Sequence, residues 1–394
     1  MPRSSVAGRS ILFAVAYPFH PPYQGGSARS GALIDHFRRN GWSVTVAYCY
    51  LGRETQPDYA AMAARVDGLY VYLPTAEERA KRRVNDADSW CPEPFAALVR
   101  DLCIREQPGV LLAQRVFLTK CFEGLGHAAQ PLKVLDADNL YTDRDGLFAH
   151  IPLPYVSFST QAEDEARALR RADLVLAIQP EEAEIMRAMA PEQRVLVVPH
   201  AVSAPACPHA DTHDILVVGA YTLTNIHGLQ QFLDRAWDGV RRGVPDARLL
   251  VAGEMGRVIR SPTPGVDVLG VVEDLDGLYR RASVVINPQL VGTGLSTKTV
   301  DALVRGKCLV TTPAGGRGIA GIERHARVVA DMDELGVAVT LLLQRPEERR
   351  RLEHAARAAR ERFAPSRVYS TLERTVLGLV SDIRRVASQA AANA

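Results

Sequence analysis

The chain contains no run of apolar residues approaching the roughly 18 that a helix needs to span a bilayer, so no membrane-crossing segment is expected. Its first ten residues are polar and basic, and the apolar stretch behind them reads as a strand rather than a secretion signal. The six cysteines (Cys49, Cys91, Cys103, Cys121, Cys207, Cys308) are scattered and form no Cys-x-x-Cys. Most of them sit in apolar runs, which fits core thiols of a reducing compartment and argues against a disulfide framework or a metal site. Neither sign of charge is in excess: the formal net charge is +2, so nothing global points to nucleic acid. Missing too is a Gly-x-Gly-x-x-Gly followed by an acidic residue about 20 positions on, the main mark of a dinucleotide-dependent oxidoreductase. No short-period repeat is present. The expectation is a cytoplasmic protein, with peripheral attachment to the inner face of a membrane left open by the arginines near 349–362 and by Lys81–Arg83; a solvated helix face is the plainer reading of 349–362, and neither stretch is long enough to require a membrane patch.

What is there is an α/β pattern. At 394 residues with 47% apolar content, the chain is too long for one ordinary core, and two α/β domains are expected. In the first half, β-rich runs at Ile11–Ala16, Ser43–Cys49, Gly68–Leu73, Gly109–Ala113, Leu132–Asp136, Asp173–Ile178 and Arg194–Val198 alternate with amphipathic stretches such as Phe95–Cys103 and Glu163–Arg171. Several are apolar nearly throughout, as strands covered on both faces must be. Residues 199–213 hold three prolines and no periodicity, which reads as a hinge linker. A second α/β unit over 214–365 follows, with strands at Ile215–Val218, Arg248–Ala252, Val266–Leu269, Val284–Asn287 and Cys308–Thr312. Its first helix places Leu229, Phe232, Leu233, Ala236, Trp237 and Val240 on one face. Helices are expected at 332–344, at 346–362 and over Val368–Ser388. Two doubly wound domains joined in this way predict a ligand crevice at the carboxyl ends of their strands.

The most informative stretch is Asn287 to Thr312: a glycine-broken loop, a helix starting at Ser296, an acid at Asp301 and a buried strand. Free amides at a helix start, with the helix dipole behind them, favour a phosphate. Thr293, Gly294, Leu295, Ser296 and Thr297 are therefore the candidate seat, with Lys298 adding charge. Asp301 can accept hydrogen bonds from ribose hydroxyls. After the first strand of this unit, Asn225 and His227 either meet phosphate or sugar, or Asn225 simply caps the helix. Glu254 and Val272 are further donor-side candidates at strand ends. In the first unit Gly25 and Gly26 allow close backbone approach to a ligand, and Ser27 is a plausible N-cap. His20 reads as a structural loop histidine. At the end of the strand Leu132–Asp136, three carboxylates crowd into Asp136–Asp143. Asp138 is the catalytic candidate there, while turn formation or pairing with Arg115 and Arg144 is the competing reading. Asn139 and His200 complete the candidates for acceptor or sugar binding.

Taken in order, Gly25–Gly26, Asp136–Arg144, Asp173-Leu-Val-Leu-Ala-Ile-Gln-Pro, Val198-Pro-His-Ala-Val202, Gly270–Asp274 and Gly292–Gly318 resemble the GT-B glycosyltransferases, and among them the retaining family 4 (group 1). The similarity runs over nearly the whole chain. It implies two Rossmann-like domains facing each other across a cleft, with the last helix returning to the N-terminal domain (1–198, completed by 366–394). It further implies a nucleoside-diphosphate sugar donor on the C-terminal domain, an acceptor hydroxyl on the other, retention of configuration and no metal or other cofactor. The acceptor would be a saccharide, a lipid-linked sugar or a small molecule. The family's two glutamates, seven residues apart, correspond here to Thr293 and Asp301, and its histidine of an Asp-x-His-Asp pattern to Asp138. Ala220 and His227 stand where the usual Arg and Lys are found. A sugar-nucleotide epimerase and a non-catalytic protein of the same fold remain as alternatives.

Overall fold

The computed structural model describes residues 9–21, 24–51, 57–126, 129–151, 158–260 and 262–392. The chain divides into two compact units. The first comprises residues up to Asp145, those from Val156 to Pro199 and those from Val368 onward; the second comprises Gly146–Tyr155 and His200–Arg367.

In the first unit the strands are β1 (Ser10–Val15), β2 (Ser43–Cys49), β3 (Gly68–Tyr72), β4 (Val110–Gln114), β5 (Leu132–Asp136), β6 (Leu174–Ala177) and β7 (Arg194–Val197). They pair in parallel, in the order β3-β2-β1-β4-β5-β6-β7. The second unit repeats the plan with β8 (Asp214–Val218), β9 (Arg248–Ala252), β10 (Val266–Gly270), β11 (Val284–Asn287), β12 (Leu309–Thr311) and β13 (Arg327–Val328), ordered β10-β9-β8-β11-β12-β13. Parallel neighbours need a crossover, and here helices supply most of them. Burial follows position: every residue of β4 and of β11 is buried, whereas the edge strands β3, β7 and β10 are mostly half-exposed. Strand order reverses between β1 and β4, and again between β8 and β11. Such switch points open a crevice at the strand carboxyl ends, where α/β sheets bind ligands.

Three features depart from the simplest reading of the sequence. The helix after β8 is not continuous. It runs Leu223–Phe232, loosens into a π turn over Leu233–Trp237 and resumes at Asp238–Gly243. That extra residue lets Phe232, Ala236 and Trp237 all reach the core. Residues 146–151 follow β5 in sequence yet cluster with the second unit, because Phe148 and Ile151 bury themselves against Leu223 and Val291.

The proline-rich segment 199–213 has no regular structure, but it is no loose tether. One stripe of the helix Pro346–Ala359 and the turn Arg360–Phe363 grips it in antiparallel register. Arg349 Nη2 donates to Asp211 (2.7 Å) and His209 Nδ1 meets Glu353 Oε2 (2.9 Å). Arg357 and Arg360 donate to the carbonyls of Cys207 (3.3 Å) and Ala204 (2.7 Å), and the Val202 amide donates to Phe363 O (2.9 Å). The gripping residues are three or four apart, so they share one helix face. Arg349 and Glu353 are thus buried, whereas Arg350, which turns outward to Glu347, keeps to the solvated face. The final helix, Pro365–Ala392, joins the first unit from Val368 on. Tyr369, Leu372, Val376 and Val380 are buried, and Glu373 accepts from Trp42 Nε1 at 2.8 Å. Among the described residues no helix is long and apolar enough to cross a membrane.

Candidate functional site

In the second unit the switch point lies between two loops that each lead into a helix without a side-chain cap. After β8, Thr222 precedes Leu223–Phe232; after β11, Ser296 precedes Thr297–Val304. The first amides of an uncapped helix have no intrahelical acceptor and carry its positive dipole end. Ser296 makes no cap bond; its hydroxyl is turned to Asn287 Nδ2 and accepts from it (2.9 Å). Asn287 is the one polar residue of β11. It also donates to Thr299 Oγ1 (2.8 Å) and Gly315 O (3.2 Å), pinning the helix start to the next loop. Arg317 adds a bond to Gly292 O (2.8 Å), and Thr312 Oγ1 donates to Gln289 O. Gly294 takes φ 73, a left-handed turn that suits glycine. The hydroxyl of Thr293 and Oδ1 of Asn287 are buried without a hydrogen-bond partner, so this loop holds unused polar capacity.

Lys298 projects from the first turn of that helix. Its ammonium donates to Asn225 Oδ1, and Asn225 Nδ2 in turn donates to Ala220 O (3.0 Å), so one amide side chain ties both loops together. Asn225 is the third residue of its helix; it is a bridge, not a cap. Gly228 permits the approach: a Cβ there would lie 2.9 Å from the Pro288 carbonyl carbon. Burial pushes the Lys298 pKa down from 10.5 to about 8, and among the described residues no carboxylate pairs with it. His227 is half-buried, and burial together with His150 lowers its pKa, favouring the neutral ring near pH 7.

The remaining donor-side candidates are placed differently. Asp301 lies on the same helix, but its Oδ1 accepts from Arg305 Nη1 (2.6 Å). Arg305 also bonds Asp276 (2.8 Å) and stacks 4.6 Å over Tyr279. One carboxylate edge of Asp301 is therefore already oriented from within the protein. Glu254 pairs with Arg257 (3.2 Å), Val272 is half-buried beyond β10, and Leu295 is buried. His200 is buried at the start of the gripped segment.

The first unit's switch point is built on opposite lines. The helix starts at Gly25 with Gln24 at the cap. Ser27 is thus inside the helix and not its N-cap; its hydroxyl is buried with no partner. The space that Gly26 leaves is taken by Arg115: a Cβ at Gly26 would collide with its guanidinium. Arg115 follows β4 directly, with φ 78 and ψ 149, a backbone region that is almost exclusively glycine's. Its Nη2 pairs with Asp138 Oδ2 (2.8 Å), its Nη1 meets the Tyr141 hydroxyl, and its plane lies 4.4 Å over Tyr17. Asp138 is itself at φ 64, spanned by a bond from Asn139 N to Ala137 O (2.7 Å), which makes it the centre of a strained γ-turn. Beneath them Arg29 and Asp136 form a fully buried pair (2.6 Å). Burial raises the Asp136 pKa, and Arg29 opposes that shift. Glu165 holds the loop from below through the amides of Tyr141 (3.0 Å) and Thr142 (2.7 Å). Asn139 is half-buried and Arg144 stacks 5.0 Å from the Tyr141 ring. His20 bonds Arg65 (2.7 Å), a structural contact. Sequence reasoning passed over Arg29, Glu165, Asn287 and Arg305. Of these only Asn287 carried a local signal, as a polar residue closing an apolar strand.

Residues 212–345 match the family model described as glycosyl transferases group 1. Solved structures share the fold along nearly the whole chain. Sucrose-phosphate synthase from Thermosynechococcus elongatus superposes with a TM-score of 0.71 at 13% identity, covering 97% of this chain and 100% of that one. HepE of Anabaena, solved with UDP and glucose, gives 0.68 at 14% identity, covering 93% and 99%. TarM gives 0.68 at 7% identity, covering 95% and 100%. No curated protein sequence matches. The chain is a GT-B fold protein, and residues 212–345 of its second unit are the part that matches the glycosyl transferases group 1 model.

Proposed function

We propose that the chain transfers a sugar from a nucleoside-diphosphate donor to a hydroxyl acceptor, with retention at the anomeric carbon and without a metal. The observation that carries this reading is Lys298: a half-buried cation without an acidic partner among the described residues, beside an uncapped helix start, at the switch point of the sheet. Such a place favours an anion of two linked phosphates. The solved HepE structures contain UDP and UDP-glucose, which supports the donor class. In the reaction the bond from C1 to the β-phosphate oxygen breaks and a bond from the acceptor oxygen to C1 forms. The acceptor proton passes to an oxygen of the leaving phosphate. Lys298 and the amides near 295–297 stabilise the charge that grows there, Thr293 Oγ1 supplies a further polar contact, and Asp301 takes a ribose hydroxyl. Asp138, oriented by Arg115, aligns the acceptor or the transferred sugar. The product class is a surface polysaccharide, a glycolipid or a glycosylated metabolite.

Calorimetry with UDP, GDP, ADP, CDP and dTDP tests the reading. One of them is expected to bind, and Lys298→Ala to abolish the binding; failure of all five would overturn it. Donor breakdown across the matching nucleotide sugars, followed by mass, then identifies the sugar. A second reading, a binding protein without transferase activity, draws on Thr293 and Asp138 standing where a glutamate and a histidine are expected. It predicts nucleotide binding with no donor turnover.

A further inference from the structure

The segment 146–151 is the part of the molecule that the proposed reaction leaves unused. In sequence it lies between β5 and β6, yet it packs on both loops that frame the second unit's switch point. Phe148 and Ile151, 7% and 5% exposed, close over Leu223, the first residue of one uncapped helix, and over Val291 of the loop before the other. A peptide pinned there by two apolar side chains is held at the ligand crevice. His150, between the two anchors in the chain, is exposed, and its ring stands 6.4 Å from that of His227 at an interplanar angle of 82°. Two imidazoles thus stand edge-to-face beside the helix whose Asn225 holds Lys298. Their charge environment suits an anion: only burial and His150 itself perturb His227, burial alone perturbs Lys298, and no carboxylate contributes to either.

We infer that residues 146–151 form a wall of the donor site and that His150, with His227, binds the terminal phosphate of the nucleoside diphosphate. The inference rests on the donor reading given above and names a residue of the site that the family motifs do not contain. Phe148 and Ile151 act as positioning residues, because they touch only protein. His150 is the contact, so a nucleoside monophosphate, which lacks the second phosphate, should not depend on it.

Calorimetry on the full chain decides the matter, using the tightest binder among UDP, GDP, ADP, CDP and dTDP together with its monophosphate. His150→Ala is expected to weaken the diphosphate by roughly tenfold, the lower end of what a hydrogen bond to a charged group contributes, and to leave the monophosphate unchanged. Because the side chain is exposed, thermal unfolding of this variant should match the parent. Phe148→Ser/Ile151→Ser, which frees the segment, should reproduce the same selective loss. If His150→Ala binds the diphosphate as the parent does, while Lys298→Ala does not bind, the donor seat stands and His150 is removed from it. An equal loss for mono- and diphosphate also overturns the assignment. If the parent binds none of the five, the donor reading falls, and this inference with it.

Discussion

The two switch points share a strand order and differ in how their charges are matched. In the first unit the two buried arginines at the strand ends have acidic partners: Arg29 has Asp136 and Arg115 has Asp138. In the second, the one partner of Lys298 among the described residues is the amide oxygen of Asn225. A self-paired cluster has little attraction left for an anion, whereas an ammonium facing one neutral dipole has nearly all of it. The two units also hold different reserves. The first stores backbone strain at Arg115 and Asp138; the second stores desolvation at Lys298. Strain fixes direction, which suits alignment of an uncharged sugar or acceptor. Unmatched charge binds phosphate.

The largest expected effect would break the first cluster. Arg29→Ala leaves the Asp136 carboxylate buried without its cation, and removal of one partner from such a pair costs about 3–5 kcal/mol. Urea unfolding should show that loss, whereas nucleoside-diphosphate affinity, set in the other unit, should persist wherever the variant is folded. A parallel loss of affinity at full folding would show that the two sites are not independent. Next in size is Lys298→Met. Affinity for the diphosphate should fall by 100-fold or more, about 3 kcal/mol, while the ligand-free protein gains stability because a desolvated ammonium is gone. Opposite signs in calorimetry and in melting are the test, and a loss in both would make Lys298 a structural residue.

The same lysine gives a pH dependence with two signs. Its folded pKa, about 8, lies below the usual 10.5, so the unfolded chain holds the proton more tightly. Ligand-free stability should therefore be flat in this respect below pH 8 and rise between pH 8 and 10.5. Diphosphate affinity should do the reverse: level between pH 7 and 8, above the range where imidazole and phosphate take up protons, then falling by up to about tenfold per unit as the charge is lost. Lys298→Met should flatten both curves. Affinity that stayed level from pH 7 to 9.5 in the parent would contradict the assignment of Lys298 to the phosphate.

Much of this was legible from residues alone, for reasons that differ by element. The central strands read clearly because they are apolar on both faces; Leu132–Asp136, Arg248–Ala252 and Val284–Asn287 have the expected bounds. The two-residue β13 is too short to show any period. The loop Asn287–Ser296 announced itself through glycines before a helix start. What could not be read was pairing across distance. Arg29 and Asp136 lie 107 residues apart, and the arginine stripe that grips 204–211 looks, taken locally, like any charged helix face. Prolines made that segment look free; its partners are nearly 150 residues further on. Arg115 presents the same difficulty at closer range. Its glycine-like backbone comes from its bonds to Asp138, Tyr141 and Tyr17, none of which its own neighbours in sequence foretell.

The smallest expected effect separates the two ends of the second unit's own site. Asp301 is half-buried and shares its carboxylate with Arg305, so it cannot offer a ribose all the acceptor capacity of a free acid. Asp301→Asn keeps the shape, weakens the bond from Arg305 and removes the charge. Nucleoside-diphosphate affinity should drop by roughly tenfold, the lower end of what one charge-assisted hydrogen bond contributes, since the amide oxygen can still accept. Inorganic pyrophosphate, which has no ribose, should bind the variant as well as the parent or slightly better, since a nearby negative charge is gone. Equal weakening of both ligands would mean that Asp301 acts through the helix start and Lys298. The carboxylate would then belong to the phosphate seat, and the contrast between a charged end and a hydroxyl-reading end would have to be given up.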